Sequence, residues 1–317
     1  MSDNISCCRN EQITNDNPDP QSIKERFITL IEKFIGAAAV RLSDDVTSRL
    51  EQMREGEDSP LQKAIYGSYF ENLKMAVEQN RPCCQDTGLP QFYLKAGSAF
   101  PFLDMTKEVI TEAVKRATLS VPLRPNAVNF FDEKNTGDNT GERVPWIDWE
   151  IIPGSQEMEI TLYLSGAGCS LPGQAKVFKP SDGMEAILPF VTDIVYGPGV
   201  NACPPLLVGI GLGHNIENAA VLSKKAILRQ LGTKHPHPQG ARMEKEITDA
   251  LNSLGMGAQG LRGSQAVMGV HIESSARHTA TRACAVNVSC YALRRGTVRI
   301  KKDLSYELPS YKGIKLL

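Results

Sequence analysis

The sequence has almost no charge of one sign to spare: 35 Lys and Arg stand against 36 Asp and Glu, a net charge of -1 over 317 residues. That balance argues against nucleic acid or an anionic bilayer as a partner, since binding to either rests on an excess of cationic side chains. There is also no run of the roughly eighteen apolar residues needed to cross a membrane. The longest comparable stretch, Pro204 to Leu212, is short and glycine-rich. Residues 1–21 are polar and lack the apolar segment of a secretory signal, so the chain reads as cytosolic. Paired CxxC motifs of a zinc ribbon are missing, as are internal repeats and low-complexity linkers. A hydrophobic content of 41% and a charged content of 22% suit a globular protein that buries a substantial core.

What the sequence does have is cysteine, at positions 7, 8, 83, 84, 169, 203, 284 and 290. Without a signal segment, that number argues against a disulfide framework and for metal or redox chemistry. Three of the eight share a turn-like setting. Cys84 lies in Arg81-Pro82-Cys83-Cys84-Gln85-Asp86-Thr87-Gly88, bracketed by prolines at 82 and 90, which reads as a turn. Cys203 lies in the loop Gly197-Pro198-Gly199-Val200-Asn201-Ala202-Cys203-Pro204-Pro205, just before an apolar strand. Cys290 ends a strand and is followed by Tyr291 and the basic pair Arg294-Arg295. Open amides and nearby positive charge stabilise thiolates and cluster sulfides, so the three suit an iron–sulfur cluster. With three ligands rather than four, one iron would stay open to act as a Lewis acid. The competing reading is three ordinary buried cysteines, and each stretch by itself favours it.

Hydrophobic periodicity places the remaining elements. Residues 1–21 read as a flexible tail in which Cys7 and Cys8 are incidental. Ser22 with Glu25 makes a capping box for a helix carrying Ile23, Phe27, Leu30, Ile31 and Phe34. Ser43 caps a second helix, burying Val46, Leu50 and Met53. Ser59-Pro60 opens a third with Leu61, Ile65, Tyr69, Leu73 and Val77 on one face. A strand over 91–96 and a helix over 107–119 follow. Strands over 146–152 and 158–164 read as a hairpin about Pro153-Gly154-Ser155. Ser181 caps a helix with Met184, Ile187, Leu188 and Val191 inward and a possible kink at Pro189. A strand over 206–210, a helix from Asn215 to about 231, a helix over 241–254, and strands over 266–272, 285–289 and 297–301 close the chain. The fold class is α+β: one mixed domain over 22–317 with an N-terminal helical subregion.

Cys84-Gln85-Asp86-Thr87-Gly88, Asn201-Ala202-Cys203-Pro204-Pro205 and Cys290 with Arg294-Arg295 resemble the three cluster-binding motifs of iron–sulfur hydro-lyases of the class I fumarase and tartrate dehydratase type. Asn135-Thr136-Gly137 with Val144-Pro145-Trp146, Cys169-Ser170-Leu171-Pro172-Gly173 and Gly269-Val270-His271-Ile272-Glu273-Ser274 carry the resemblance along nearly the whole chain. It implies the fold of the N-terminal cluster-binding domain of the class I fumarases. It also implies a [4Fe-4S] cluster on Cys84, Cys203 and Cys290 with one open iron, and leaves Cys83, Cys169 and Cys284 as non-ligands.

Further site roles follow from the same resemblance. Asp86 would exchange a proton with the substrate hydroxyl, Gln85 would donate to a substrate carboxylate, and Arg124, set between two prolines, would bind a carboxylate with its fork. Gly166 and Gly168 would offer backbone amides to the substrate. His278, rather than His271, would bond substrate or orient Asp86; His214, His235 and His237 read as surface or capping residues. In fumarase-type sequences a three-glycine run and a serine stand where this chain has Ala167 and Cys169, which moves the match toward the tartrate enzymes. The implied reaction is dehydration of L(+)-tartrate to oxaloacetate, with fumarate, malate or mesaconate as the alternative substrates. No convincing base for the carbon-bound proton is present, so a β subunit, in an α2β2 heterotetramer, is expected to bring it. An electron-transfer or cluster-sensing protein, the reading from a different class, would need a fourth cysteine ligand.

Overall fold

A computed structural model describes residues 20–317. The tail read over 1–21, with Cys7 and Cys8, lies outside those residues except for its last two positions, which are already helical. Helix α1 (Pro20–Val40) starts ahead of the Ser22 capping box and buries Phe27, Leu30, Ile31, Phe34 and Ile35. Helix α2 (Asp44–Glu55) follows Ser43 and buries Val46, Leu50 and Met53, as their spacing predicts. Helix α3 (Pro60–Gln79) begins where the Ser59 hydroxyl accepts the Gln62 N–H. Of the predicted stripe, Tyr69 is buried and Ile65, Leu73 and Val77 pack half-buried against the core, while Leu61 is exposed; Gln62, Tyr66 and Ala76 extend the buried face. Gln62 is buried by polar contacts: its amide donates to the carbonyls of Ala258 and Leu261 and accepts the Ala258 N–H. A buried amide with its partners in place can join a helix's packed face beside the apolar stripe. The left-handed Asn80 ends α3 and hands the chain to the Cys84 turn.

Strands β1 (Leu89–Gly97), β2 (Trp146–Ile152) and β3 (Met158–Ser165), with helix α4 (Thr106–Ser120) between the first two, build one sheet. The predicted hairpin of β2 and β3 is not there. β1 runs between them, parallel to β2 with Gln91 opposite Trp146, and antiparallel to β3 with Phe92 opposite Leu162. The connection over 153–157 steps across the end of β1: Gly97 N–H donates to the Glu157 carbonyl, Ser98 to Ile152 and Ala99 to Ser155. The loop's acceptors are thus satisfied by a third strand and not within a two-strand ribbon. β8 (Arg295–Ile300) and β9 (Tyr306–Glu307) complete the order β2-β1-β3-β8-β9. One face packs on α1 and α4, burying Phe92, Leu94, Ile160, Leu162 and Val298.

The second sheet has the order β4-β7-β5-β6, from β4 (Gln174–Phe178), β5 (Leu206–Gly213), β6 (Val267–Ser274) and β7 (Arg282–Ser289). β5 and β6 are parallel; β7 is antiparallel to β4 and β5. The short helix α5 (Ala167–Ser170) joins β3 to β4. Ser181 does not cap a long helix. Pro180–Asp182 forms a separate 3-10 turn in which the Asp182 carboxylate accepts the Lys179 N–H, and Gly183, at φ 71°, breaks the path. Helix α6 (Ile187–Tyr196) then puts Pro189 in its first turn, where no N–H is needed, so it causes no kink; Leu188 faces solvent. Helix α7 (Ile216–Leu228) is capped by Asn215, which accepts the Asn218 N–H. Helix α8 (Pro238–Ser253) follows. α6 and α8 cover Val208 and Ile210 on one face of the sheet.

On the other face β5 presents Gly209, Gly211 and Gly213 to α7. A Cβ on Gly209 or Gly211 would run into the Ser223 and Ala219 carbonyls. Gly211→Ala is therefore expected to lower stability by about 1–3 kcal/mol, because backbone cannot rotate away from an added methyl as a side chain can. Urea unfolding of the variant should show a lower midpoint at unchanged slope.

The sheet also fixes two ends. Cys203 lies just before β5, and antiparallel β7 returns Cys290 to that same end.

Candidate active site

Cys203 has left-handed backbone angles, φ 54° and ψ 68°, an uncommon state for a residue with a Cβ. Its surroundings hold it there from three sides. Tyr69 Oη donates to the Pro204 carbonyl at 3.1 Å and accepts from Gln259 Nε2 at 2.7 Å. The Gln259 N–H reaches the same carbonyl, and the Tyr291 N–H donates to the Cys203 carbonyl at 3.3 Å. Tyr69 and Tyr291 stack 3.7 Å apart and nearly parallel. The Cys203 side chain stays exposed, whereas Cys290 beside it is buried. The Cys290 N–H donates to Cys169 Sγ at 3.3 Å.

The Cys84 turn is fastened to this end by hydrogen bonds. Cys83 points into the core, with its N–H on the Ala39 carbonyl and its own carbonyl taking Asn72 Nδ2 at 2.8 Å. Cys84, half-buried, points elsewhere. Asp86 Oδ1 accepts the Gly88 N–H at 3.1 Å and Asn126 Nδ2 at 3.5 Å, and Oδ2 accepts the Ala167 N–H at 2.8 Å. The bond to Gly88 is the ordinary turn-forming role of an aspartate; the bond to Ala167 clips the turn to the Gly166–Ser170 segment. Thr87 Oγ1 accepts the Arg124 N–H at 3.0 Å, setting Arg124 next to the turn with an exposed side chain. Gly88 has φ 78°, and a Cβ there would lie 2.7 Å from the Leu164 carbonyl carbon. A Cβ on Gly166 would lie 2.9 Å from Asp86 Oδ2, so that glycine is needed for contact; at Gly168 an added Cβ would meet nothing closer than 3.8 Å. The Ala167 amide, the middle one of the segment, is occupied by Asp86. Gln85 is exposed at the edge of the turn.

The two consecutive arginines separate. Arg295 turns inward to Asp45, Ser43 and the carbonyls of Ile227 and Arg229. Arg294 turns to the cysteines. It is 2% exposed, and its Nε and Nη1 find no hydrogen-bond partner among the described residues. Burial works to lower its pKa, but the field of Cys83, Cys290, Cys84 and Cys169 outweighs it and leaves it raised. Lys224 Nζ, another buried cation without a hydrogen-bond partner, lies over the Tyr163 ring, and Tyr163 Oη donates to the Ser289 hydroxyl beside Cys290. The Cys290 thiol donates to Cys169, which lowers the Cys169 pKa and raises that of Cys290. Partial desolvation from the surrounding loop, then Cys169 and Cys84, raise Cys203. Cys84, Cys169, Cys203 and Cys290 thus share one electrostatic environment.

These features fit an iron–sulfur cluster. Thiolates are the donor set that clusters take, and a buried guanidinium with unpaired donors suits an anionic group beside it. Among the described residues no three ligating side chains converge on a single-ion site. Thiols around a four-iron cluster stand further apart than around one ion, so that spread is compatible with the larger group.

Not every expected residue joins the site. His278 sits between β6 and β7, at the end of the sheet away from Cys203 and Cys290, about 25 Å off by strand rise. It is exposed and its Nδ1 accepts the Ala280 N–H, so within this chain it does not orient Asp86. His271 is a buried structural residue whose Nδ1 meets the Ala226 carbonyl; burial, then Arg229, push its pKa down to about 4. Cys284 packs in the core as expected. Asn126, Lys224 and the contact of Cys169 with Cys290 carry no sequence signal, because each depends on elements distant in the chain.

The chain matches the family model described as Fumarate hydratase (Fumerase) over residues 28–299. Among curated proteins it is 46% identical over 287 residues to proteins named L(+)-tartrate dehydratase subunit alpha from Escherichia coli and Shigella sonnei, covering 90% of this chain and 95% of each relative. A match over that length leaves no large part of the fold unaccounted for, and the chain belongs to the fumarate hydratase (Fumerase) family of hydro-lyases.

Proposed function

We propose that residues 22–317 form the α-type domain of a cytoplasmic iron–sulfur hydro-lyase that dehydrates L(+)-tartrate to oxaloacetate. The observation that carries the reading is Arg294, a buried cation with free donors set among Cys84, Cys169, Cys203 and Cys290; the substrate follows the names of the relatives. Cys84, Cys203 and Cys290 would hold a [4Fe-4S] cluster, which when bound supplies a Lewis-acidic iron for the substrate's hydroxyl and carboxylate.

The chain's own groups do the rest of this half of the work. The exposed Arg124 guanidinium offers two parallel N–H donors to a substrate carboxylate. Gln85 adds an amide donor from the same turn. Asp86, held at both oxygens by the Gly88 and Ala167 amides, keeps a fixed aim for proton exchange with the substrate hydroxyl. The Gly166 and Gly168 amides flank Ala167 and would be the ones left to the substrate. Nothing among these residues serves as base for the carbon-bound proton, which assigns that step to a β subunit, as in an α2β2 assembly. The names of the relatives, which call them alpha subunits, support a partner.

The test is anaerobic reconstitution of the isolated chain and of the chain co-expressed with its β-type partner, followed by assay with L(+)-tartrate, malate, fumarate and mesaconate. The isolated chain is expected to bind iron and sulfide yet show no turnover, and the pair to act on L(+)-tartrate. Turnover by the isolated chain would remove the need for a partner; a pair active only on malate or fumarate would reassign the substrate.

A further inference from the structure

The segment between α4 and β2 carries the two most exposed large apolar side chains among the described residues. Phe130 is 90% exposed and Phe131 97%, and their rings meet edge to face at 5.6 Å. With Val128 they wall a groove of about 680 Å³ that reaches Leu89. The segment is internally braced. Asn129 and Thr136 donate their N–H groups to the carbonyls of Lys134 and Ala127, and Asn135 Nδ2 donates to the Pro125 carbonyl. Buried Asn139 accepts the Asn126 N–H and donates to the Arg124 carbonyl and to Thr118. Two phenyl rings held in solvent by a hydrogen-bonded framework add nothing to this chain's own core, and exposed apolar surface of that kind marks a contact site.

The groove borders the Cys84 turn. Leu89 directly follows Gly88 of the Cys84 turn, and Asn126, which begins the braced segment, donates to Asp86. A body seated on Phe130 and Phe131 is therefore placed in register with Arg124 and Asp86. The exposed charges around the rings are Asp132, Glu133 and Glu142 against Lys134 and Arg143, a local excess of acid.

We propose that Phe130 and Phe131 anchor the β-type subunit of the same hydro-lyase, entering an apolar pocket with a Lys- and Arg-bearing rim. Docking there brings the missing half of the site over Arg124 and Asp86. The inference rests on the proposed function, which requires that partner, and buried aromatic anchors are the side chains that dominate interface energies.

The test is the Phe130→Ser, Phe131→Ser double variant in the full chain, co-expressed anaerobically with the β-type chain of the same genome. Melting of the variant α chain alone should match wild type, since neither ring is buried. Affinity for the β chain should fall at least about tenfold, as for loss of a hot-spot anchor, with turnover restored at saturating β chain. Leu254→Ser, at an exposed apolar residue that follows α8 and does not line the groove, should change neither. Unchanged affinity in the double variant, with a wild-type pair that dehydrates tartrate, overturns the docking site and leaves the function standing. A wild-type pair that neither associates nor turns over overturns both. An α chain that dimerises alone, and is made monomeric by the double variant, gives the groove to a second copy and also overturns the proposal.

Discussion

Cys203→Ser and Cys290→Ser are each expected to reduce the iron and sulfide retained after anaerobic reconstitution to background, and with it all hydro-lyase activity of the assembled pair. Serine offers a harder, far less acidic donor than a thiolate, and cluster irons select sulfur. The two variants have different structural controls. Cys203 is exposed, so its replacement should leave the melting of the cluster-free chain unchanged, and loss of iron there is a loss of ligand and not of fold. Cys290 is buried, and its N–H and thiol both engage Cys169, so a modest fall in stability is expected alongside the loss of iron. Cys169→Ser provides the contrast: it removes a thiol from the same environment but should keep the cluster, because Cys169 Sγ takes the Cys290 N–H and lies outside the proposed ligand set. Full iron content in Cys203→Ser, or background iron in Cys169→Ser, would mean that the ligand set is drawn wrongly and that the acceptor of Cys290 is itself a ligand.

The parts of this site that are readable from sequence are those encoded locally. Pro82, Pro90 and Gly88 make the Cys84 turn out of a few residues, and Gly197 to Pro205 does the same for Cys203. Alternating apolar residues place β5 and β7, and their antiparallel pairing then brings Cys203 and Cys290 to one end. What sequence patterns do not carry is direction set by a distant partner. Arg294 and Arg295 look equivalent as a basic pair; they diverge because Asp45, on the far side of the chain, takes one of them. α3 buries Gln62 beside its apolar stripe because carbonyls at 258 and 261 take its amide. The connection over 153–157 has hairpin composition, yet its acceptors are filled by β1. His278 belongs to the right motif in linear order, but one intervening strand, β7, carries it to the other end of the sheet.

Removing the Asp45 carboxylate is expected to cost more stability than any other single polar change considered for this chain. The pair it forms with Arg295 is closely made, with Nη2 to Oδ2 at 2.6 Å and side-chain exposures of 4% and 8%. Asp45 Oδ2 also accepts the Leu231 N–H at 2.7 Å. Arg295 meanwhile spends its other donors on the carbonyls of Ile227 and Arg229 and on Ser43. The pair thus joins the start of α2, the end of α7 and the start of β8, which belong to different layers. Asp45→Ala would leave a buried guanidinium without its counter-charge, and breaking a buried pair from one side costs about 3–5 kcal/mol. Urea unfolding of the cluster-free chain should show that loss. The same pair gives stability a pH dependence. Burial pushes the Asp45 carboxyl up, but the Arg295 charge and the hydrogen bonds from Arg295, Ser43 and Leu231 outweigh it, holding the pKa below the usual 3.8. A carboxyl with a lower pKa folded than unfolded binds protons more readily in the unfolded chain. Its contribution is therefore complete above the unfolded value and is lost as the pH falls through 3.8 toward the lower folded value. Asp45→Asn keeps the shape without the charge, so its unfolding midpoint should start lower at neutral pH and decline less steeply than wild type in acid. Parallel declines in the two proteins would show that the acid sensitivity of this fold lies with other carboxylates.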